Sequence, residues 1–369
     1  MKKVIVSVTN DLITDQRVHR VCSTLHGFGF NVLLVGRKLK NSLAVDKRNY
    51  STVRLKLLFT RGFLFYAEYN IRLFFYLLFH KEDILLSNDL DTLPANFLVK
   101  KIKNKILVFD SHEYFPEVPE LSGRKFTKNF WLKIEKFILP KIKHAYTVNG
   151  SLAGIYKEKY NTDFKVIRNV PYKNEDELKK IDFSGFKGKK IILYQGALNI
   201  GRGIEELIKT MKYIENAVFL IIGDGDISNE LKNLVNELKF ENKVRFFGKI
   251  PLSELKSYTK YADIGISLEE NMGLNYYYSL PNKLFDYIQS KVPVLVSDFP
   301  EMANIVNKYN IGIILKERTI EKIAEKINLM LNNNDLRSEW KKNLEFAAGE
   351  LCWENEEKEL IKLFNEIVT

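Results

Sequence analysis

At 369 residues, with 46% hydrophobic and 28% charged residues, the chain is globular and long enough for two cores, and it contains no low-complexity tract or tandem repeat. Two cysteines, Cys22 and Cys352, exclude a disulfide framework and offer no metal-ligand spacing, so a reducing, cytoplasmic compartment is expected. The net charge of +11 is uneven: residues 1–170 hold 29 basic against 15 acidic residues, and the remainder holds 28 against 31. The bias assigns any anionic partner (membrane lipid, a phosphorylated acceptor or nucleic acid) to the first half.

In chain order, MKKVIVSVTNDLITD turns polar at Thr9 and reads as a first strand, Val4–Val8, rather than a signal peptide. A helical stretch from Gln16 to Phe28 follows, then a strand over Asn31–Val35. Such alternation predicts an α/β layered domain with a mostly parallel sheet. From Arg61 to Phe79, phenylalanine, tyrosine and leucine crowd both sides of Glu68, Asn70 and Arg72. Those polar residues argue against a spanning helix and leave a buried helix or one lying on a membrane surface.

Strands over Asp83–Ser87 and Lys105–Asp110 each run into polar residues. The first delivers Asp89 and Asp91; the second delivers Asp110, His112, Glu113 and Glu117. In an open α/β sheet, ligands sit beyond the carboxyl ends of the strands. His112 alone among the five histidines directly follows an apolar strand, where it can bond or handle a proton. Strands over Ala145–Asn149 and Lys165–Arg168 complete this half, and a charged stretch after Asn169-Val170-Pro171 marks a domain boundary.

The pattern restarts with Lys190–Tyr194, QGALNIGRG and a helix over Ile204–Met211. Gly196, Gly201 and Gly203 allow the backbone close to a ligand, and Arg202 can pair with phosphate oxygens. The spacing is not the dinucleotide fingerprint. Val218–Ile222 exits into Gly223-Asp224-Gly225, which reads as a tight turn; Val244–Phe247, Ile264–Leu268 and Val292–Val296 are further strands. Between the last two lies SLPNKLFDYIQ, a short helix with Ser279 as its expected cap and Pro281 in its first turn. Asn282 and Asp286 share a face beside Lys283. A helix N-terminus with a lysine attracts anions, and a carboxylate one turn on can accept from adjacent hydroxyls, so the stretch outlines a nucleotide diphosphate site. From Glu321 onward the pattern is helical, with Trp340 and Trp353 as packing anchors.

Together these residues resemble family 4 of the glycosyltransferases, over nearly the whole chain. The family's D-x-R-V stretch corresponds to Asp15-Gln16-Arg17-Val18, and its D-x-H-E stretch to Asp110-Ser111-His112-Glu113, preceded by Asp89 and Asp91. The hinge asparagine matches Asn169, the phosphate loop Gly196 to Gly203, and a branch motif L-P-N-K-L-F-E-Y matches Leu280 to Tyr287 with Asp286 in place of glutamate. Three departures stand out. Ala197 replaces an arginine common after the first loop glycine, and Thr9-Asn10-Asp11 replaces a glycine pair. Tyr278 occupies the place of the first of two paired glutamates, for which Glu269 and Glu270 are the nearest substitutes.

The resemblance implies the GT-B architecture: two Rossmann-like, doubly wound α/β domains facing across a cleft, with C-terminal helices crossing back. The expected division is residues 1–170 on the acceptor side, a linker at 171–189, a donor domain at 190–345, and a returning helix at 346–369. It further implies retaining transfer of a sugar from a nucleotide diphosphate sugar, without a metal or other cofactor. Gly196, Arg202, Asn282, Lys283 and Asp286 then bind the nucleotide and His112 is the catalytic contact. Asp89, Asp110, Glu113, Asn169 and Glu270 bind substrate. The implied acceptor is a glycan or a lipid-linked one, met at the anionic inner face of the membrane. A same-fold epimerase or a non-catalytic nucleotide-sugar binder is the alternative. A nicotinamide oxidoreductase needs a glycine fingerprint after the first strand, and Val4–Asp11 has no glycine. No nucleic-acid-binding motif accompanies the basic half, so nucleic acid is not an expected partner.

Overall fold

The computed structural model describes residues 1–13, 15–118, 121, 123–173, 179 and 181–368. Residues 174–178 and 180 of the expected linker lie outside the described residues. The chain divides into two units, one comprising 1–169 with 354–369 and the other 170–353.

The first unit holds β1 (Lys3–Ser7), β2 (Asn31–Lys38), β3 (Ser51–Lys56), β4 (Ile84–Asn88), β5 (Ile106–Ser111), β6 (His144–Thr147) and β7 (Lys165–Val166). They form one sheet in the order β3-β2-β1-β4-β5-β6-β7, and every pairing is parallel. β1 and β4 are apolar and buried because helices cover both faces of such a sheet. The second unit repeats the plan with β8 (Lys190–Gln195), β9 (Ala217–Ile222), β10 (Val244–Gly248), β11 (Ile264–Ser267), β12 (Val294–Ser297) and β13 (Gly312–Leu315), ordered β10-β9-β8-β11-β12-β13 and again all parallel. Both orders are the doubly wound one that reverses beside the first strand. The two reversal points, β1/β4 and β8/β11, fix where side chains converge.

Two strands were not expected, β3 and β13, and both lie at sheet edges. Edge strands need no continuous apolar run, and Ser51–Lys56 carries Arg54 and Lys56 with only partial burial. The helix expected behind Ser279 also differs. It runs Asn282–Gln289, Pro281 itself is the N-cap residue, and the Ser279 hydroxyl donates to the Tyr276 carbonyl instead. Pro281 is extended, with φ −71° and ψ 140°, so it precedes the helix rather than opening it.

Trp340 and Trp353 are buried. The helix Asn334–Glu350 packs within the second unit against Asn282–Gln289, and Gln289 donates to the carbonyls of Ala348 and Leu351. The return to the first unit therefore falls at residue 354 rather than 346. There Leu360 and Phe364 are buried, Phe364 meets Phe30 edge-on at 5.6 Å, and Glu356 accepts from the Arg168 amide and guanidinium at 2.7 and 3.0 Å. Among the described residues no helix is long and apolar enough to cross a membrane.

Candidate functional site

In the first unit the polar side chains gather beyond β1, β4 and β5, around the reversal point. Asp15 caps the helix Gln16–Gly27 by accepting from the Val18 amide at 2.9 Å, which fixes the first turn and points Arg17 inward. Arg17 is buried and meets Asp110 with both fork nitrogens, Nη2 at 2.8 Å and Nε at 3.2 Å, and its third nitrogen donates to the Ile167 carbonyl at 2.9 Å. A bidentate guanidinium–carboxylate pair is the arrangement that best offsets the desolvation of both charges.

His112 lies between two carboxylates. Its Nε2 is 2.9 Å from Asp110 Oδ2 and its Nδ1 is 3.2 Å from Asp89 Oδ2, while its backbone amide donates to Asp89 Oδ1 at 2.8 Å. Both ring nitrogens face carboxyl oxygens, an arrangement that favours the imidazolium. Burial works against that charge, but Asp110 and Asp89 outweigh it and hold the pKa at about 9. Burial likewise pushes the Asp110 carboxyl up, and Arg17 and His112 overcome it, leaving a pKa of about 2. Among the described residues no cation lies at contact distance from Asp91. Burial and the Asp89 charge raise it to about 7, against the Thr9 hydroxyl that donates to it at 2.6 Å. Asp89 adopts φ +56°, in the left-handed region that aspartate and asparagine enter more often than other residues bearing a Cβ. Glu113 sits in the following turn, its carbonyl accepting from Ser111, and Asn169 accepts from Arg20. Neither contacts His112 through these bonds.

The second unit gathers its polar groups beyond β8, β9 and β11. Gly196 has φ +134° and its position lies 3.5 Å from Lys283 Cε, measured to where a Cβ would stand. Gly223, φ +143°, is packed so closely that a Cβ would lie 1.8 Å from the Gly196 carbonyl oxygen. The Gly223-Asp224-Gly225 turn thus clamps the loop after β8, and Leu198 adds backbone bonds to Asp224 and Ile227. Gly223→Ala is expected to remove roughly 3 kcal/mol of stability, read as a lowered urea midpoint. An unchanged midpoint would show that the two loops are not held by this contact.

Lys283 is buried against the Tyr194 ring, with Nζ 3.9 Å from its centroid, and 3.1 Å from Glu269 Oε1. Arg202 lies 3.7 Å from the same oxygen and 4.8 Å from the Tyr276 ring, and its buried Nε has no hydrogen-bond partner among the described residues. Glu269 is fully buried; burial raises its pKa, but Lys283, Arg202 and the Ser267 hydroxyl more than reverse this. Two cations on one carboxylate leave a net positive charge beside the glycine loop, suited to an anion. Asp286 accepts from Gln195 Nε2 at 2.9 Å, and Gln195 Oε1 accepts from Thr259 at 2.7 Å. Asn282 is exposed at the helix start.

Glu270, the substrate-binding candidate, turns away from Lys283 to lie 3.8 Å from Arg318, and it is Glu269 that joins the cluster. Arg318 holds this loop through the carbonyls of Leu268 and Glu269, both at 2.8 Å, and through Glu206 at 2.7 Å. Arg17, Gln195 and Arg318 were not singled out in the sequence as site residues. Arg17 lies in the D-x-R-V stretch and Gln195 opens QGALNIGRG, whereas Arg318 lies in neither. Among the described residues no group of His, Cys, Asp or Glu side chains is arranged to hold a metal ion.

Residues 176–345 match the family model described as glycosyl transferases group 1. An uncharacterized glycosyltransferase of Methanocaldococcus jannaschii is 23% identical over 74% of this chain and 71% of its own length. The O-antigen chain mannosyltransferase RfbU of Salmonella typhimurium is 28% identical over 54% of this chain and 58% of its own length. The chain spans about half the length of other curated relatives it matches. Sucrose-phosphate synthase from Thermosynechococcus elongatus superposes with a TM-score of 0.82 at 16% identity, covering 100% of this chain and 99% of that one. Anabaena HepE in complex with UDP-glucose does so with 0.76 at 12% identity, covering 99% and 100%. The two all-parallel Rossmann-like sheets are those of the GT-B fold.

Proposed function

We propose that this chain is a retaining, metal-independent family 4 glycosyltransferase. It moves a sugar from a UDP- or GDP-sugar to a glycan or lipid-linked acceptor in the synthesis of a cell-surface polysaccharide such as lipopolysaccharide or capsule. The observation that carries the reading is the Lys283–Glu269–Arg202 cluster beside Gly196, within the segment matched by the group 1 family model. The diphosphate lies on the glycine loop and is met by Arg202 and Lys283, so that charge developing on the leaving group finds fixed cations in place. Asp286, with Asn282 near it, accepts from the ribose hydroxyls. His112 contacts the transferred sugar, with Asp110 and Asp89 holding its charge, while Glu113, Asn169 and Glu270 complete substrate binding. The O-antigen relative supports a surface-glycan acceptor, and the basic first half supports a site of action on the inner face of the membrane.

A thermal-shift panel of UDP, GDP, ADP, CMP and NAD, with and without EDTA, tests this. One nucleoside diphosphate is expected to raise the melting temperature, because it binds only the folded chain. EDTA should not alter that rise, and Lys283→Ala should remove most of it. Stabilisation by NAD alone, or dependence of the shift on a divalent ion, would reverse the corresponding part of the reading.

A further inference from the structure

The helix Gly62–Phe79 buries Phe65, Tyr69, Leu73 and Leu77, one side of the helix, against its own unit. The opposite side should then be polar. Instead it presents Leu64, Ile71, Phe75 and Phe79, each more than half exposed. Exposed apolar area of this kind marks an interaction surface. The helix Asp89–Lys103 packs beside it, and Lys125–Ile138 follows, joined to the first by the edge-on contact of Phe63 with Phe130 at 5.7 Å.

Charge decides what covers this face. Segment 125–143 contains six lysines and one acid, Glu135, which is buried and bonded to the Tyr160 hydroxyl at 2.8 Å. The acid on the aromatic helix, Glu68, is also engaged: it pairs with Arg72 at 2.8 Å and accepts from the amides of Leu58 and Phe59, which holds that exposed apolar turn in place. Lysines stand directly on the aromatic rings, Lys141 at 3.2 Å and Lys101 at 6.0 Å from the Phe137 centroid. A second copy of this chain would set like charges against each other. Nucleic acid would meet the cations and stack on the rings, but it would leave the aliphatic side chains of Leu64, Ile71, Leu98 and Ile102 in water. A bilayer with anionic headgroups takes both the cations and the apolar tips.

We propose that the outer face of helices Gly62–Phe79, Asp89–Lys103 and Lys125–Ile138 is a docking surface for an anionic phospholipid bilayer. The inference extends the proposed function, on which it rests for the identity of the acceptor, but the surface is independent of the candidate site residues.

Co-flotation of the full chain with phosphatidylcholine vesicles, with and without phosphatidylglycerol, at low and moderate salt, tests it. Recovery with the anionic vesicles is expected to exceed that with neutral ones at least about tenfold and to fall with salt. Ile71→Ser with Phe75→Ser should lose most binding at either salt concentration, and Lys133→Glu with Lys136→Glu should lose the salt-sensitive part. Both pairs lie on the surface, so their melting temperatures and nucleotide-induced shifts should match the parent. Equal recovery with both vesicle types, or parent-like recovery of both variants, would overturn the proposal. So would a dimer by light scattering that the Ile71/Phe75 variant dissolves. Nucleotide binding without vesicle recovery refutes the docking surface alone; vesicle recovery without nucleotide binding refutes the transferase reading alone.

Discussion

Replacing Arg17 with methionine is expected to lower the unfolding free energy by about 3–5 kcal/mol, because it leaves the Asp110 carboxylate buried without its bidentate partner. The Ile167 carbonyl loses its donor in the same step. The loss should also depend on pH. The Asp110 pKa is depressed from 3.8 to about 2, so its contribution is complete above pH 3.8 and disappears as pH falls through about 2. Without Arg17, burial dominates and the carboxyl rises, so variant and parent should converge in stability as the medium is acidified. Urea denaturation at neutral pH and near pH 3 measures this. A deficit as large near pH 3 as at neutrality would mean that the guanidinium acts by packing and not by charge. The double variant Arg17→Met/Asp110→Leu should recover part of the lost stability.

His112→Ala is the second large effect, expected in turnover. Removing one charged donor from a preorganised site costs roughly 10²–10³-fold in kcat, and the nucleotide-induced thermal shift should stay at the parent value. A variant that transfers sugar at the parent rate would remove His112 from the chemistry; one that also loses nucleotide binding would show a general disruption. The imidazolium has a stability consequence too. Its pKa is raised from 6.5 to about 9, so the stabilisation is complete below pH 6.5 and lost as pH rises through about 9. Parent stability should therefore decline over that window, and the decline should be shallower in His112→Ala.

The doubly wound plan was legible because buried parallel strands are apolar along their whole length. Ala217–Ile222 announces itself, whereas the edge strand Ser51–Lys56, which alternates polar and apolar residues and is only partly buried, does not. Polar residues directly after such strands, His112 and Asp89 among them, were legible for the same reason. Partners were harder. Nothing in the first turn of a helix shows that Arg17 meets a carboxylate 93 positions away. Two adjacent glutamates follow β11, and which one turns inward is decided by Arg318, whose guanidinium grips the carbonyls of Leu268 and Glu269 from far along the chain. Gln195 was invisible because its function, holding Asp286 while bonded to Thr259, exists only after three elements have packed.

The return of residues 354–368 to the first unit has a consequence for biogenesis. Phe364 closes over Phe30, and Glu356 receives Arg168, so the layer begun by the earliest strands is sealed only by the last helix. During translation the whole second unit is made while the first still lacks that helix. Its open apolar face must then wait, and chaperone demand should be highest in the interval between emergence of β7 and of Val368.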